Sequence, residues 1–275
     1  MRVGSLFAGI GGLDLGLERA GMRTVWQVEI DPYCRSVLER HFPDAVRYED
    51  VRDCGAHNLE PVDLICGGFP CQPVSVAGAR KGDEDERWLW PEFARIVREV
   101  KPRWVLVENV PGLRSIDDGR LFGEVLRDLA GCGYACEWNR VSAASVGAPH
   151  LRERVFIVGY ADSDGAGERR NGHALGSFAG TLREGRDSSH SQDAGTYADE
   201  PGSSSVANAA SEGLPGSPRL AFRSSEPSGF WEPESPFCGV ADGVPRRMAQ
   251  LKALGNSVVP QVAEYVGQLI MDAEL

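Results

Sequence analysis

The sequence predicts an α/β fold in which a parallel β-sheet is covered on both faces by helices. Three observations predict it. Short apolar runs bounded by Gly, Pro or acidic residues recur through the first 160 positions, and patterns of helical period lie between them. The alternation of the two is the signature of strand–helix–strand units, which close a parallel sheet through right-handed crossovers. Apolar residues make up 42% of the 275 positions, enough to fill the core of one domain with a smaller appendage.

In chain order, the runs that read as buried strands are Val3 to Phe7, Thr24 to Val28, Leu64 to Cys66, Trp104 to Val107 and Val155 to Val158. A further short strand is expected just ahead of Asp50. The helical patterns are Gly12 to Ala20, Pro32 to His41, Trp90 to Val100 and Arg120 to Gly131, several of them ended by Gly or Pro. Val258 to Met271 reads as a closing amphipathic helix, opened by Leu254-Gly255-Asn256-Ser257-Val258-Val259-Pro260. Functional side chains in such sheets gather beyond the carboxyl ends of the strands, so the segments after each strand carry the candidates.

From Ala161 to about Gly229 the composition shifts to Gly, Ser, Ala, Asp and Glu, with eight large apolar residues in 69 positions. So little apolar surface cannot build a core, and the stretch reads as a small loop-rich insertion, partly disordered without a ligand. The expected organisation is a catalytic and cofactor-binding domain over 1–160, an insertion over 161–237, and a segment over 238–275 that returns to the first domain.

Seven scattered cysteines give neither a disulfide framework nor zinc-ligand spacing, so reduced thiols and no metal site are expected. No run approaches 18 apolar residues and the first residues lack a secretory pattern, which predicts a cytoplasmic protein with no membrane association. The net charge of −11 is unfavourable for binding phosphates globally. Residues 1–160 carry 20 basic and 24 acidic side chains and the remainder 9 and 16, so any nucleic-acid contact has to come from a locally basic cleft.

Four constellations carry chemistry. Phe7-Ala8-Gly9-Ile10-Gly11-Gly12 follows a strand and opens a helix, as a cofactor loop does, although a tight strand-to-helix turn has the same pattern. Glu29, at the end of the next strand, is suited to accept from two ribose hydroxyls, and Asp50, after a third strand, to read an adenine amino group. Asp14 occupies the last position of a would-be G-x-G-x-x-G, so a nucleoside without pyrophosphate fits better than a dinucleotide. Cys71 lies between Pro70 and Pro73 after a strand, where chain stiffness holds a thiol at a fixed angle. A free thiol has a pKa of roughly 8.5 and needs a positive field to ionise near neutrality.

Glu108, in Glu108-Asn109-Val110, follows an apolar strand at the same sheet edge and is placed to share a proton with a ring nitrogen, a role that wants a raised pKa. In His150-Leu151-Arg152-Glu153-Arg154, strand alternation puts residues 150, 152 and 154 on one face. Arg152 and Arg154 there would favour a thiolate at Cys71 and hold a phosphate or a base carbonyl.

Taken in order, Gly67-Gly68-Phe69-Pro70-Cys71-Gln72-Pro73, the later Glu108-Asn109-Val110 and Arg152-x-Arg154 after Gly147-Ala148-Pro149 resemble the cytosine-5 DNA methyltransferase family over about residues 1–160 and 238–275. The compact form resembles phage and prophage members. The resemblance implies a Rossmann-like S-adenosylmethionine-dependent methyltransferase fold with a small loop-rich target-recognition domain in 161–237. It implies an S-adenosylmethionine site lined by Phe7, Gly9 and Gly11, with Glu29 on the ribose, Ile30, Asp50 and Val51 around the adenine, and Pro70, Leu89, Asn256 and Val258 completing the pocket. Cys71, Glu108, Arg152 and Arg154 would be catalytic, acting on a cytosine flipped out of double-stranded DNA. The implied partners are duplex DNA and a cognate restriction endonuclease, and the implied state is a monomer.

Two departures stand out. His150 replaces the family's usual Gln ahead of the two arginines, and the segment Cys238 to Arg247 is shorter than usual. Arg169, Arg170, Arg183, Arg186, Arg219 and Arg223 are the groups available for DNA contact in the insertion. Two other readings stay open. One is a related group that methylates cytosine in transfer RNA, whose Cys-Phe-Thr signature the chain lacks; the other is a binding protein on a decayed scaffold.

Overall fold

A computed structural model describes residues 1–70, 88–161 and 247–274. Cys71 and the insertion arginines named above lie outside the described residues, as does nearly all of the proposed 161–237 region.

The chain begins with β1 (Arg2–Leu6), α1 (Gly12–Arg19), β2 (Arg23–Val28), α2 (Pro32–His41) and β3 (Val46–Tyr48). It continues through β4 (Leu64–Gly67), α3 (Trp90–Val100), β5 (Trp104–Asn109), α4 (Arg120–Gly131), β6 (Tyr134–Val141) and β7 (Arg154–Ala161). The described part of the C-terminal segment consists of α5 (Arg247–Asn256) and α6 (Pro260–Glu274). Among the described residues the strands form one seven-stranded sheet in the order β3-β2-β1-β4-β5-β7-β6.

The sheet is parallel from β3 to β5, but β7 runs antiparallel to β5, and β6 antiparallel to β7. The expectation of a wholly parallel sheet is therefore corrected to a mixed one. The reason lies in β6, which the sequence reading did not identify. Its pattern Tyr-Ala-Cys-Glu-Trp-Asn-Arg-Val mixes charge with apolar residues because it is an edge strand. With β6 in place, only a short 3-10 turn (Ala143–Val146) and loop separate β6 from β7, and two strands without an α-helical crossover between them pair antiparallel.

Side chains of β5 alternate between two cores, as a strand covered on both faces requires. Val105 and Val107 pack with Phe93, Ile96 and Val97 of α3 and with Val125 and Leu129 of α4. Trp104 and Leu106 face the other way, toward Leu13 and Leu17 of α1 and Val262, Val266 and Ile270 of α6. Helix α6 lies against α1 because small residues let the backbones approach. A methyl group on Gly16 would lie 2.3 Å from the Pro260 carbonyl oxygen, and one on Gly267 would lie 2.9 Å from Ala20 Cβ. Glu274 fastens the far end of α6, accepting from Arg103 Nη1 at 2.7 Å and from Trp104 Nε1.

Two local expectations change. Residues 150–153 are not strand: β7 starts at Arg154, and Arg152 has φ +30°, so the two arginines do not share a strand face. Leu254-Gly255-Asn256 does not open the last helix but ends α5, and α6 starts at Pro260, as a proline at a first helical position favours.

Candidate active site

The carboxyl ends of β1, β2, β4 and β5 and the C-terminal end of α5 surround a cavity of about 590 Å³. Its first wall is the loop from β1 to α1. Phe7 (φ +54°), Gly9 (φ +57°) and Gly11 (φ +83°) all adopt the left-handed region, which suits glycine and strains Phe7. The loop is held by several bonds. Ala8 N donates to Val28 O at 3.1 Å, and Gly9 N donates to Glu29 Oε2 at 2.7 Å. Phe7 and Gly9 line the cavity; Gly11 does not, serving instead as the N-cap of α1 against Leu38 and Phe42.

Below this loop is a buried polar group that the sequence reading left without a role. Asp14, in the first turn of α1, has no solvent exposure; its carboxylate accepts from Ser5 Oγ at 3.0 Å and from Gln27 Nε2 at 2.8 Å. Burial raises its pKa to about 6, against the lowering effect of the Gln27 and Ser5 hydrogen bonds. The network ties α1 to β1 and β2 immediately behind the glycine loop.

The second wall comes from β2. Glu29 Oε1 accepts from Asp31 N at 2.8 Å while Oε2 accepts from Gly9 N, so backbone fixes the carboxylate and one lone pair on each oxygen is left for a ligand. Asp31 caps α2, accepting from Tyr33 N and Cys34 N, ahead of Pro32. Ile30 lies at the mouth with 66% of its surface exposed, and Val51 is buried. Asp50 caps the short turn that follows it, accepting from Arg52 N at 2.9 Å. Ile30, Asp50, Val51, Pro70 and Leu89 line the cavity, as do Asn256 and Val258 at the end of α5.

The third wall holds the charged pair. Glu108, 7% exposed on β5, meets Arg154 of β7 with Arg154 Nε donating to Glu108 Oε1 at 2.9 Å. Burial pushes the Glu108 carboxyl up to about 7, against the opposing pull of Arg154 and Arg152. Gly68 makes room for this carboxylate, since a methyl group there would be 2.5 Å from Glu108 Oε2. Asn109 adjoins Glu108 in the sequence, where its type alone signals no role. Its Nδ2 donates to Phe69 O at 3.1 Å, tying β5 to the backbone that leads through Pro70 into Cys71. Only proximity in space reveals that bond, because its partners are 40 residues apart.

The sequence reading placed both arginines beside Cys71. Arg154 is engaged by Glu108, whereas Arg152 turns toward the end of α5, where its Nη2 donates to Gly255 O at 2.8 Å and to Ser257 O. Neither Arg152 nor His150 lines the cavity.

A family model of C-5 cytosine-specific DNA methylases matches residues 1–198. The chain is 38% identical over 160 residues to the type II methyltransferase M.DsaV of Dactylococcopsis salina, a match covering 58% of this chain and 45% of that relative. It is 36% identical over 159 residues to the type II methyltransferase M.HhaI of Haemophilus parahaemolyticus, covering 58% and 48%. The chain thus spans about half the length of these curated relatives. Among solved structures, a candidate DNA modification methyltransferase encoded within an E. coli prophage superposes with a TM-score of 0.52 at 34% identity, covering 59% of this chain and 47% of that one.

Proposed function

The chain belongs to the C-5 cytosine-specific DNA methylase family, and from that premise we propose that it transfers a methyl group from S-adenosylmethionine to carbon 5 of a cytosine flipped out of duplex DNA. The observation that carries the reading is a single cavity lined both by Glu29, an acceptor suited to a ribose, and by the buried Glu108–Arg154 pair, suited to a pyrimidine ring. The residues fit the cofactor. Phe7, Val51 and Leu89 offer apolar surface to an adenine, Asp50 an acceptor for its amino group, and Glu29 two oriented lone pairs. When bound, S-adenosylmethionine supplies an electrophilic methyl group, and the acidic lining from Glu29, Asp31, Glu49 and Asp50 favours its positive sulfonium.

The chain's own residues supply the activation that carbon 5 of cytosine lacks. The Cys71 thiolate adds to carbon 6, and Glu108, with its raised pKa, holds a proton at ring nitrogen 3. The displaced electron pair makes carbon 5 an enamine carbon, nucleophilic enough that it would take the methyl group of bound S-adenosylmethionine, whose sulfur would leave as the neutral thioether. Loss of the carbon 5 proton to a base and of Cys71 as thiolate then restores the aromatic ring. Arg154 keeps Glu108 oriented and offers its remaining donors to the base carbonyl. Phe7, Gly9, Glu29, Ile30, Asp50, Val51, Pro70, Leu89, Asn256 and Val258 form the cofactor side of this reading; Gly11 contributes as the cap of α1.

In the same reading, residues 161–237 recognise the target sequence and 238–275 return to the catalytic domain. The type II relatives support a cognate restriction endonuclease as a separate partner. The same reading takes the chain to act as a monomer. No helix among the described residues is long and apolar enough to cross a membrane, and a cytoplasmic site of action accords with a DNA substrate.

Bisulfite sequencing of DNA from cells expressing the protein tests the proposal and reads the sequence context at once. Modified cytosines are expected with the wild-type chain and none with Cys71→Ser. Unmodified DNA together with methylated transfer RNA would sink the DNA reading.

A further inference from the structure

Arg152 and Arg154 are separated by one residue yet serve different neighbours. The backbone at Arg152 takes φ +30°, a strained conformation for an L side chain, just before β7 begins. That turn takes the guanidinium to the end of α5, from where its charge still acts on Glu108. There Arg152 Nη2 donates to the carbonyls of Gly255, at 2.8 Å, and Ser257. The last carbonyls of a helix lack intrahelical partners and carry partial negative charge, so a guanidinium satisfies both needs. Arg152 Nε is buried with no hydrogen-bond partner among the described residues, so the side chain's hydrogen bonds there go to the Gly255 and Ser257 carbonyls.

The clamped segment is the cofactor wall itself. Asn256 lies between the two carbonyls and Val258 follows them, and both line the cavity. On its other side the segment presses against the start of α1, where a methyl group on Gly12 would be 2.4 Å from Ser257 Oγ and 2.5 Å from Val258 O. The wall is thus held between the glycine loop's helix and Arg152.

We infer that Arg152 is a positioning residue for the cofactor: its bonds to the Gly255 and Ser257 carbonyls set the wall at Asn256 and Val258 and link it to the Glu108–Arg154 pair. The inference rests on the reading of the cavity as an S-adenosylmethionine site. Because Arg154 starts the strand that Arg152 precedes, filling the cofactor cavity and seating the target base are coupled through three consecutive residues.

The test titrates the full chain with S-adenosylhomocysteine by calorimetry, and with a labelled mixed-sequence duplex by anisotropy in the absence of cofactor. Arg152→Met is expected to weaken S-adenosylhomocysteine binding at least tenfold and leave duplex binding within twofold. Arg152→Lys, whose ammonium still donates to carbonyls, is expected within threefold of wild type. Unchanged S-adenosylhomocysteine affinity in Arg152→Met, equal loss in both variants, or a loss confined to duplex binding overturns the inference. Wild-type protein that binds no S-adenosylhomocysteine removes the cofactor reading, and the inference with it. Should Arg152→Met fail to fold, hydrogen exchange of the wild type decides: S-adenosylhomocysteine is expected to slow exchange at 254–259 and also at 150–156, and protection confined to the first segment overturns the coupling.

Discussion

Gly68 and Glu108 stand so close that a methyl group added at Gly68 would lie 2.5 Å from Glu108 Oε2. The glycine at this position is therefore a condition for the carboxylate's place, and not only a turn element. Gly68→Ala is expected to displace Glu108 and lower the methyl-transfer rate at least tenfold. Overpacking of this kind destabilises by about 1–3 kcal/mol. A rate assay paired with a thermal melt checks it: unchanged turnover in a folded variant contradicts the placement.

Glu108 gives the reaction a pH limb. Its carboxyl titrates at about 7 because burial penalises the charged form. It is protonated below that value and can share a proton with the ring, so turnover is expected to fall as pH rises through about 7. Arg154→Met removes a group that lowers this pKa, so the limb should move to higher pH while turnover drops. Glu108→Gln should lose the limb, along with about 10²–10⁴ of the rate. A pH profile of turnover for the three proteins is decisive.

The same residue bears on stability. The folded chain holds a proton at Glu108 between about 4.5 and 7, where the unfolded chain has released it. Its contribution is full below the lower value and is lost as pH rises through the upper one. Urea melts at pH 5 and pH 8 should therefore differ less in Glu108→Gln than in wild type.

Asp14 makes a related prediction behind the glycine loop. Asp14→Ala strands the Ser5 and Gln27 donors in the core, at roughly 1–3 kcal/mol for each unsatisfied group. Asp14→Asn is expected to be far milder, because Gln27 Oε1, which has no partner among the described residues, can accept from the new amide after a flip. Denaturant melts at pH 7 that rank the two variants equally would contradict this network.

Gly16→Ala tests the seam between α1 and α6. The added methyl would meet the Pro260 carbonyl oxygen at 2.3 Å and Ala263 Cβ at 2.4 Å, and backbone cannot yield as a side chain does. A loss of about 3 kcal/mol is expected. An unchanged melting temperature would mean that the two helices do not approach so closely.

Much of the fold and of the site was legible in the sequence for a local reason. A covered strand is a continuous apolar run, and loops at strand ends are punctuated by Gly and Pro. So β1, β2, β4, β5 and β7, Glu29 and Glu108 could be found by reading outward from such runs. Edge strand β6 escaped because Glu137, Asn139 and Arg140 interrupt its apolar run. Other features rest on partners distant in sequence. The direction of β7 follows from its pairing with β5 and β6. Asn109 acts on a carbonyl 40 residues away, and Asp14 is a buried acceptor only because Ser5 and Gln27 converge on it. Alternation placed Arg152 and Arg154 together; a single left-handed φ separates them, and a helix end 103 residues downstream receives the first. The sequence by itself determined which residue types stand at the strand ends. Only the tertiary structure decided which of them face each other, because hydrogen-bond partners are set by closure of the sheet and helices in space and not by spacing along the chain.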